Sequence, residues 1–341
     1  MGKQRRRVIL SVLGYFLLVS PTLETPGLLA ESLEEAARRE GRVLFYSGMS
    51  TEDSHTLIGA FQKKYPFLKA EFYRANESRL FQRLVTEKQM GQNFADVMHM
   101  AGIWVNMYEK EGLLGKYVSP EAKNFPPGFK DPEGFWTAHY TTYHVFIHNT
   151  RLVPKKDLPK TYEDLLHPRW KRQIGMSSDE LEWFMGMLDM MGEEKGKQYM
   201  QRLAAQEPIL RAGRTLTATL MVAGEFPLAL GVVHRTLEQQ KSGASVDIIP
   251  LPGHVLAAIR AIGVNAQAAH PNAARLLVDF ILSREGQTIF NRISRHPVRP
   301  DVKVDPVVEK IRQNLFPIKP RPPEVVQRFK REYDRIFLKR H

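Results

Sequence analysis

Gly41-Arg42-Val43-Leu44-Phe45-Tyr46-Ser47-Gly48-Met49-Ser50-Thr51-Glu52 is the stretch that decides the fold. Val43 to Tyr46 has the length and residue types of a strand, and Gly41 separates it from a short charged helix expected over Leu33 to Glu40. Ser47 to Glu52 is small and polar, after which Leu57, Phe61 and Tyr65 mark one face of a helix. The unit of strand, tight polar loop and helix recurs downstream. A strand is expected at Ala70 to Tyr73, a helix around Leu80 to Glu87 with an apolar stripe at Leu80, Leu84 and Val85, and a buried strand at Ala95 to Met98. Alternating strands and helices imply an α/β sheet, whose ligands gather at the carboxyl ends of its strands.

The middle of the chain changes character. Pro120 to Pro132 is rich in proline and glycine, and Trp136 to His148 then forms a long run of aromatic, Thr and Val residues that reads as an extended strand. Lys155 to Pro168 is basic and turn-rich. From Ile174 to about Leu251 short strands and helices alternate again, Val255 to Val264 is extended, and Asn272 to Leu282 is a helix with its apolar face at Ala273, Leu276, Leu277, Phe280 and Ile281. Two long extended segments flanking a self-contained block imply that the chain crosses from one lobe to another and returns, and clefts between lobes are preferred small-ligand sites. The expected division is one lobe from residues 41–138 plus 255–310, a second from 139–254, and a basic helical extension over 311–341.

Residues 1–30 have the parts of a secretory signal. Lys3, Arg5, Arg6 and Arg7 precede an apolar run from Val8 to Val19, with a small residue at Ala30. Such a run of about 7–15 residues is shorter than the roughly 20 a spanning helix needs. The expected location is the periplasm. The chain has no cysteine in its 341 residues, which excludes disulfides, thiolate nucleophiles and an acylated N-terminal cysteine. With the signal removed about 310 residues remain, enough for two domains. The net charge of +12 lies partly in the signal and partly in Lys319 to His341, where Arg321, Arg328, Lys330, Arg331, Arg335, Lys339 and Arg340 outnumber Glu324, Glu332 and Asp334. That tail reads as an amphipathic helix packed by Val325, Phe329, Tyr333, Ile336 and Phe337, with docking on an anionic surface as the other reading. No nucleic-acid signature accompanies it, so no nucleic-acid partner is expected.

Seven stretches, in order, resemble a known family: GRVLFYSG (41–48), FADVMHMAG (94–102), EGLLGKYVSPEA (111–122), DPEGFW (131–136), YEDLLHPRWKRQIGM (162–176), VAGEFPLAL (222–230) and AHPNAARLLVDFILSREGQ (269–287). They are similar to the periplasmic substrate-binding proteins of ABC importers, in the branch of the ferric-ion-binding proteins, or bacterial transferrins. The resemblance implies an α/β, two-lobed, type II periplasmic-binding-protein fold, with discontinuous lobes joined by two hinge strands. It implies capture of a small ligand in the cleft and delivery to an inner-membrane ABC permease by a monomer. Ferric members carry a loop histidine where this chain has Ser50 or Thr51, and an acidic residue where it has Met100, Ala101 and Gly102. Their adjacent tyrosine pair falls on GVVHRTLEQ (231–239), and no tyrosine occurs between Tyr199 and Tyr333. Hard ferric ion wants anionic oxygen, so a tyrosine-bound iron site is not expected and no cofactor or metal is assigned.

The cleft is expected to bind an anion instead. Ser177-Ser178 precede a helix carrying Leu181, Phe184, Met185 and Leu188, and N–H groups at a helix start beside serine hydroxyls suit a carboxylate, phosphate or phosphonate; an ordinary N-cap would look the same. Arg214-Thr215 and His234-Arg235 add bidentate capacity for a planar anion, or form solvated pairs on helix starts. Thr141, Thr142 and Tyr143 line the first crossing strand as site residues or as hinge packing, and Ser47, Ser50, Thr51 and Gly102 approach from the other lobe, with Glu180 beside the serine loop. Trp183 reads as core, and the spacing of His139, His144 and His148 fits no known ligand set. No G-x-S-x-G elbow, P-loop, G-x-G-x-x-G or H-E-x-x-H occurs, which argues against an enzyme. Three further readings stay open: binding of ferric ion or another metal complex, ligand sensing for a membrane receptor, and a periplasmic enzyme.

Overall fold

The computed structural model describes residues 31–338, with Gly2 before them; the signal expected over residues 1–30 otherwise lies outside the described residues. Twelve strands occur among them: β1 (Arg42–Ser47), β2 (Lys69–Arg74), β3 (Val97–Ala101), β4 (Leu114–Gly115), β5 (Thr137–Asn149), β6 (Ile174–Ser177), β7 (Ile209–Arg211), β8 (Leu228–Val232), β9 (Val246–Ile248), β10 (Val255–Asn265), β11 (His296–Pro297) and β12 (Leu315–Ile318). The α-helices are α1 (Leu33–Glu40), α2 (Thr51–Lys64), α3 (Glu77–Gln89), α4 (Val105–Lys110), α5 (Leu181–Met191), α6 (Glu193–Ala205), α7 (Arg214–Ala223), α8 (Val233–Lys241), α9 (Pro271–Leu282), α10 (Arg284–Arg292), α11 (Pro306–Arg312) and α12 (Pro323–Tyr333).

The main path through the sheet runs β2-β1-β3-β10-β5-β8-β6-β7. From either edge the pattern inward is the same. β1 lies parallel between β2 and β3, and β6 lies parallel between β7 and β8; β3 then meets β10, and β8 meets β5, antiparallel. β5 and β10 pair antiparallel with each other in the middle. The strands β1 and β3 therefore run in the same direction as β5, whereas β6 and β8 run against it, so the carboxyl ends of the two sets point towards each other. Ala101 at the end of β3 is level with Arg260 and hence with Tyr140 of β5, while Val232 at the end of β8 is level with His144. Four residue steps along β5 separate these levels, about 13 Å of extended chain. Thr141, Thr142 and Tyr143 form the stretch between them.

The apolar packing forms two clusters, and the larger takes in both halves, since Met221, Phe226 and Val233 join the residues around β1. Phe45, Leu57, Phe61, Leu277 and Phe280 belong to one core cluster, and Phe146, Trp183, Phe184, Met200 and Leu203 to the other. The segment expected as a helical extension contributes a strand as well: β12 pairs parallel with β10. Phe329, Tyr333, Ile336 and Phe337 are buried in the second cluster, with the rings of Phe329 and Tyr333 6.4 and 5.7 Å from that of Phe184. The strand expected at Ala95–Met98 is displaced to Val97–Ala101. Asp96 is the reason, because its buried carboxylate accepts from the N–H of Leu44 and of His270 and so takes over at the strand entry what a ladder would otherwise satisfy.

Gly175 in β6 has the ring of Phe226 where a side chain would go, with an added Cβ only 1.9 Å from Cε2. Overpacking of this kind costs about 1–3 kcal/mol. Gly175→Ala is expected to lower the unfolding free energy measured in urea by that amount, and Phe226→Leu introduced into that variant to recover part of the loss. A Gly175→Ala protein as stable as its parent would contradict this packing.

Candidate functional site

The first half brings its groups to the ends of β1 and β3. Ser47 is fully buried, its hydroxyl shared with that of Ser54 at 2.8 Å and accepting from the N–H of Met49. Ser50 caps α2 by accepting from the N–H of Asp53 at 3.1 Å, and Thr51 opens the helix, exposed. Asp53 turns inward to Arg295 at 2.6 Å. The first turn of α3 supplies Glu77, whose carboxylate accepts from the N–H of Ala101 and lies 3.1 Å from His99 Nε2. His99 Nδ1 meets His139 Nε2 at 3.0 Å, so acid, imidazole and imidazole form a chain. A Cβ on Gly48 would stand 2.4 Å from Glu77 Oε1, and one on Gly102 2.6 Å from Ile259 Cγ1; both loops are close because they carry no side chain there.

The second half brings three helix starts to β6, β8 and the crossing strands. Ser177 is buried and accepts from the N–H of Asp179, while the N–H of Ser178 donates to Arg211 O. Glu180, not a serine, is the cap residue of α5, and it makes no side-chain cap bond. Its fully buried carboxylate instead receives Arg214 in a fork, Nε at 2.9 Å and Nη2 at 2.8 Å. Two residues on, Glu182 takes Arg260 of β10 in an end-on fork through Nη1 and Nη2, both bonds 2.9 Å. His144 Nδ1 lies 4.0 Å from Glu180. Tyr333 of α12 reaches the serine loop, its hydroxyl donating to Ser177 O at 3.3 Å and accepting from the N–H of Glu180 at 3.4 Å.

The remaining expected residues divide. Thr141 is buried and donates to His296 O; Thr142 is buried; Tyr143 is buried with its ring stacked on His296 at 4.5 Å. His234 is buried 6.0 Å from His296. Arg235 is exposed and forms an ion pair with Glu238 along its own helix, and Thr215 is exposed. The structure thus brings Arg214, Glu180 and Ser177 together, and sets Arg235 facing outward. Glu77, His99, Asp53, Arg295, Glu182 and Arg260 escaped the sequence reading. Each is defined by a partner distant in sequence, and Glu77 alone gave a local signal, an acid after the capping Asn76.

Burial sets the charge states here. It pushes the imidazoles of His139, His144 and His234 well below the ordinary histidine range and His296 down to about 3, in every case with nearby cations adding to the effect. Burial raises the Glu180 carboxyl, with Arg214 pulling the other way. At Glu77 burial also acts upward, yet His99, Arg260 and the N–H of Ala101 together bring it below its ordinary value. No group of three or more His, Asp or Glu side chains among the described residues is arranged to hold a metal ion.

A family model described as bacterial extracellular solute-binding protein matches residues 92–317. The chain belongs to this family. Among relatives of this solute-binding protein, an uncharacterized protein of Haemophilus influenzae is 23% identical over 287 residues, 80% of this chain and 81% of that one. A putative 2-aminoethylphosphonate-binding periplasmic protein of Salmonella typhimurium is 26% identical over 234 residues, 65% of this chain and 67% of that one. The structure of iron-bound HitA from Pseudomonas aeruginosa superposes with a TM-score of 0.73 at 20% identity, covering 87% of this chain and 99% of that one. That likeness establishes a periplasmic-binding-protein fold, in agreement with the motif resemblance.

Arg214→Ala would leave the Glu180 carboxylate buried without its partner. Breaking a buried pair from one side costs about 3–5 kcal/mol. The expected loss of unfolding free energy at pH 7 is of that order. It should shrink as pH falls, because the stranded carboxyl has its folded-state pKa raised above the unfolded value, and protonation then favours the folded state. Urea unfolding at pH 7 and pH 5 tests this; equal losses at both would contradict it.

Proposed function

We propose that this solute-binding protein is exported, captures a small organic anion where the two sets of strand ends converge, and delivers it as a monomer to an ABC permease. The observation that carries the anion is Arg214. It starts α7 beside the first turn of α5, and 24% of its side chain remains exposed although Glu180 holds it from one side. A guanidinium has five N–H donors in a rigid fork, so its remaining donors can meet an acidic group. Ser178 at the half-buried rim, Ser50 and Thr51 across the gap, and Thr142 between them supply neutral hydroxyls. Ser47, Gly102, Tyr143, Ser177 and His234 shape the site from beneath.

Phosphonates stand first among candidate solutes. Arg214, Arg260 and Arg295 are each matched by a carboxylate, Glu180, Glu182 and Asp53. A solute that carries an amino group beside its acidic group adds little net charge to such a balanced set. The Salmonella relative's stated ligand, 2-aminoethylphosphonate, has this chemistry. The iron reading finds less support, since His234 and Arg235 stand where the ferric members carry tyrosines, and a neutral imidazole and a cation suit ferric ion poorly.

Calorimetric titration of the mature protein with 2-aminoethylphosphonate, methylphosphonate, inorganic phosphate and ferric citrate tests this reading. Saturable binding of a phosphonate is expected, weakened about tenfold or more in Arg214→Ala, since charge-assisted contacts contribute about 1.5–3 kcal/mol. Arg235→Ala is expected to bind like the parent, because its guanidinium faces solvent and Glu238. Stoichiometric iron with visible phenolate charge-transfer absorbance would overturn the proposal, as would a phosphonate affinity indifferent to Arg214→Ala.

A further inference from the structure

A cavity lies at a seam in the sheet, bordered on one side by His144, which is level with the end of β8. β9 and β10 pair with the same edge of β5: Ile248 lies opposite Ile147 and Leu256 opposite His144. Seven residues, 249–255, therefore separate two positions of one strand that are only two residues, Val145 and Phe146, apart on its partner. The surplus chain must leave the sheet plane. One bond spans the interruption, from the N–H of Ile249 to Phe146 O at 2.8 Å, and Gly253 at φ +90° turns the excursion in the left-handed region that glycine favours.

The excursion encloses a cavity of about 350 Å³, within the roughly 300–1,000 Å³ of small-molecule sites. Its walls are mixed: Val145, Phe146 and Ile249 are buried and Leu251 and Ile311 half-buried, while His144, Tyr162, Gln240 and Asn314 add polar groups. Val307 stands at the mouth with 43% of its surface exposed, one of the few large apolar side chains left to solvent. Lys310, one turn along α11 on the same rim, is exposed and forms no ion pair among the described residues. Asp247 also lines the cavity, its Oδ1 accepting from Gln240 and from the N–H of Ile248. An apolar floor with one unpaired cation at the lip has the complement of an aromatic ring carrying a short acidic arm.

We propose that this seam is a second solute site, separate from the gap at the strand ends, that takes a small aryl-alkanoate, ring inward against Phe146 and Ile311 and carboxylate at Lys310. His144 on its border lies 4.0 Å from Glu180, but neither Glu180 nor Arg214 lines the cavity, so the site stands whichever solute the gap takes.

Phenylacetate is the probe, followed by ligand-observed NMR and by calorimetry on the whole mature chain. Saturable binding is expected. Lys310→Glu should weaken it by about threefold or more, in keeping with an exposed ion pair, and Ile311→Trp, which fills the cavity from an accessible helix face, should abolish it while circular dichroism and phosphonate binding stay intact. Should Ile311→Trp fail to fold, Val307→Trp at the mouth serves the same purpose. Arg214→Ala should bind phenylacetate as the parent does. Absence of saturable binding up to about 10 mM, which corresponds to less than about 3 kcal/mol of affinity, would overturn the proposal. So would binding that survives both the Lys310 and the Trp substitutions, or binding lost in Arg214→Ala, which would assign the probe to the gap.

Discussion

The antiparallel pairing of β5 with β10 is the constraint on which the rest of the structure depends. All thirteen residues of β5 are buried, and in β10 only Val255 and Arg260 are partly open. Each half of the sheet uses both strands, so the direction of one pair sets the direction of two sets of parallel strands and makes their carboxyl ends converge. The pairing is broken once. Between Arg260 and Ala261 the register shifts so that Tyr140 and Ala138 are matched and His139 is left over. Bulges re-aim side chains and release backbone groups. Here the released carbonyl of His139 accepts from the buried Gln287 at 2.7 Å, while Gln287 Oε1 accepts from the N–H of Val298. The imidazole turns to His99 and so joins the Glu77 chain at the end of β3.

The fold was legible because its elements are set by local apolar pattern. Helices over Leu33–Glu40 and 272–282 and strands over 43–46 and 255–264 were readable from periodicity, and the structure places them there within a residue or two. Where a side chain competes with the backbone the reading slipped, as at Asp96. It slipped again at the serine loop, where an expected cap at Ser177 or Ser178 proved to be a tight turn two residues before the helix, closed by Ser177 Oγ on the N–H of Asp179. The tail was readable as an amphipathic helix with its packing face but not as a contributor to the sheet, because its strand, Leu315–Ile318, contains a proline and pairs only with the distant start of β10.

The site was half legible, for a physical reason. Small polar residues after a strand announce a loop at its carboxyl end, and Ser47, Ser50, Ser177 and Ser178 could be found that way. Charged partners are chosen by three-dimensional proximity instead. Nothing local joins Arg260 to Glu182 or Arg295 to Asp53, pairs 78 and 242 residues apart, and Arg235 looked as promising as Arg214 until its side chain proved to lie along its own helix towards Glu238.

The matched charges bear on how tightly any solute can be held. An isolated guanidinium in a buried gap would carry a large desolvation penalty, and a forked carboxylate offsets it only when geometry is good on both sides. Arg214 and Arg260 meet that condition. An entering acid therefore gains less than it would from a free arginine, because it shares a cation that Glu180 already stabilises, and it adds a negative charge beside a carboxyl that burial has already raised. What the arrangement provides in exchange is a guanidinium fixed in position before the solute arrives. Fixing it beforehand reduces the ordering cost of binding, so that less of the contact energy is consumed in immobilising a long side chain. For the proposed anion, selectivity would then rest on shape and on the balance of charge within the solute rather than on raw attraction, since a simple inorganic anion would bring the same repulsion from Glu180 without any compensating group.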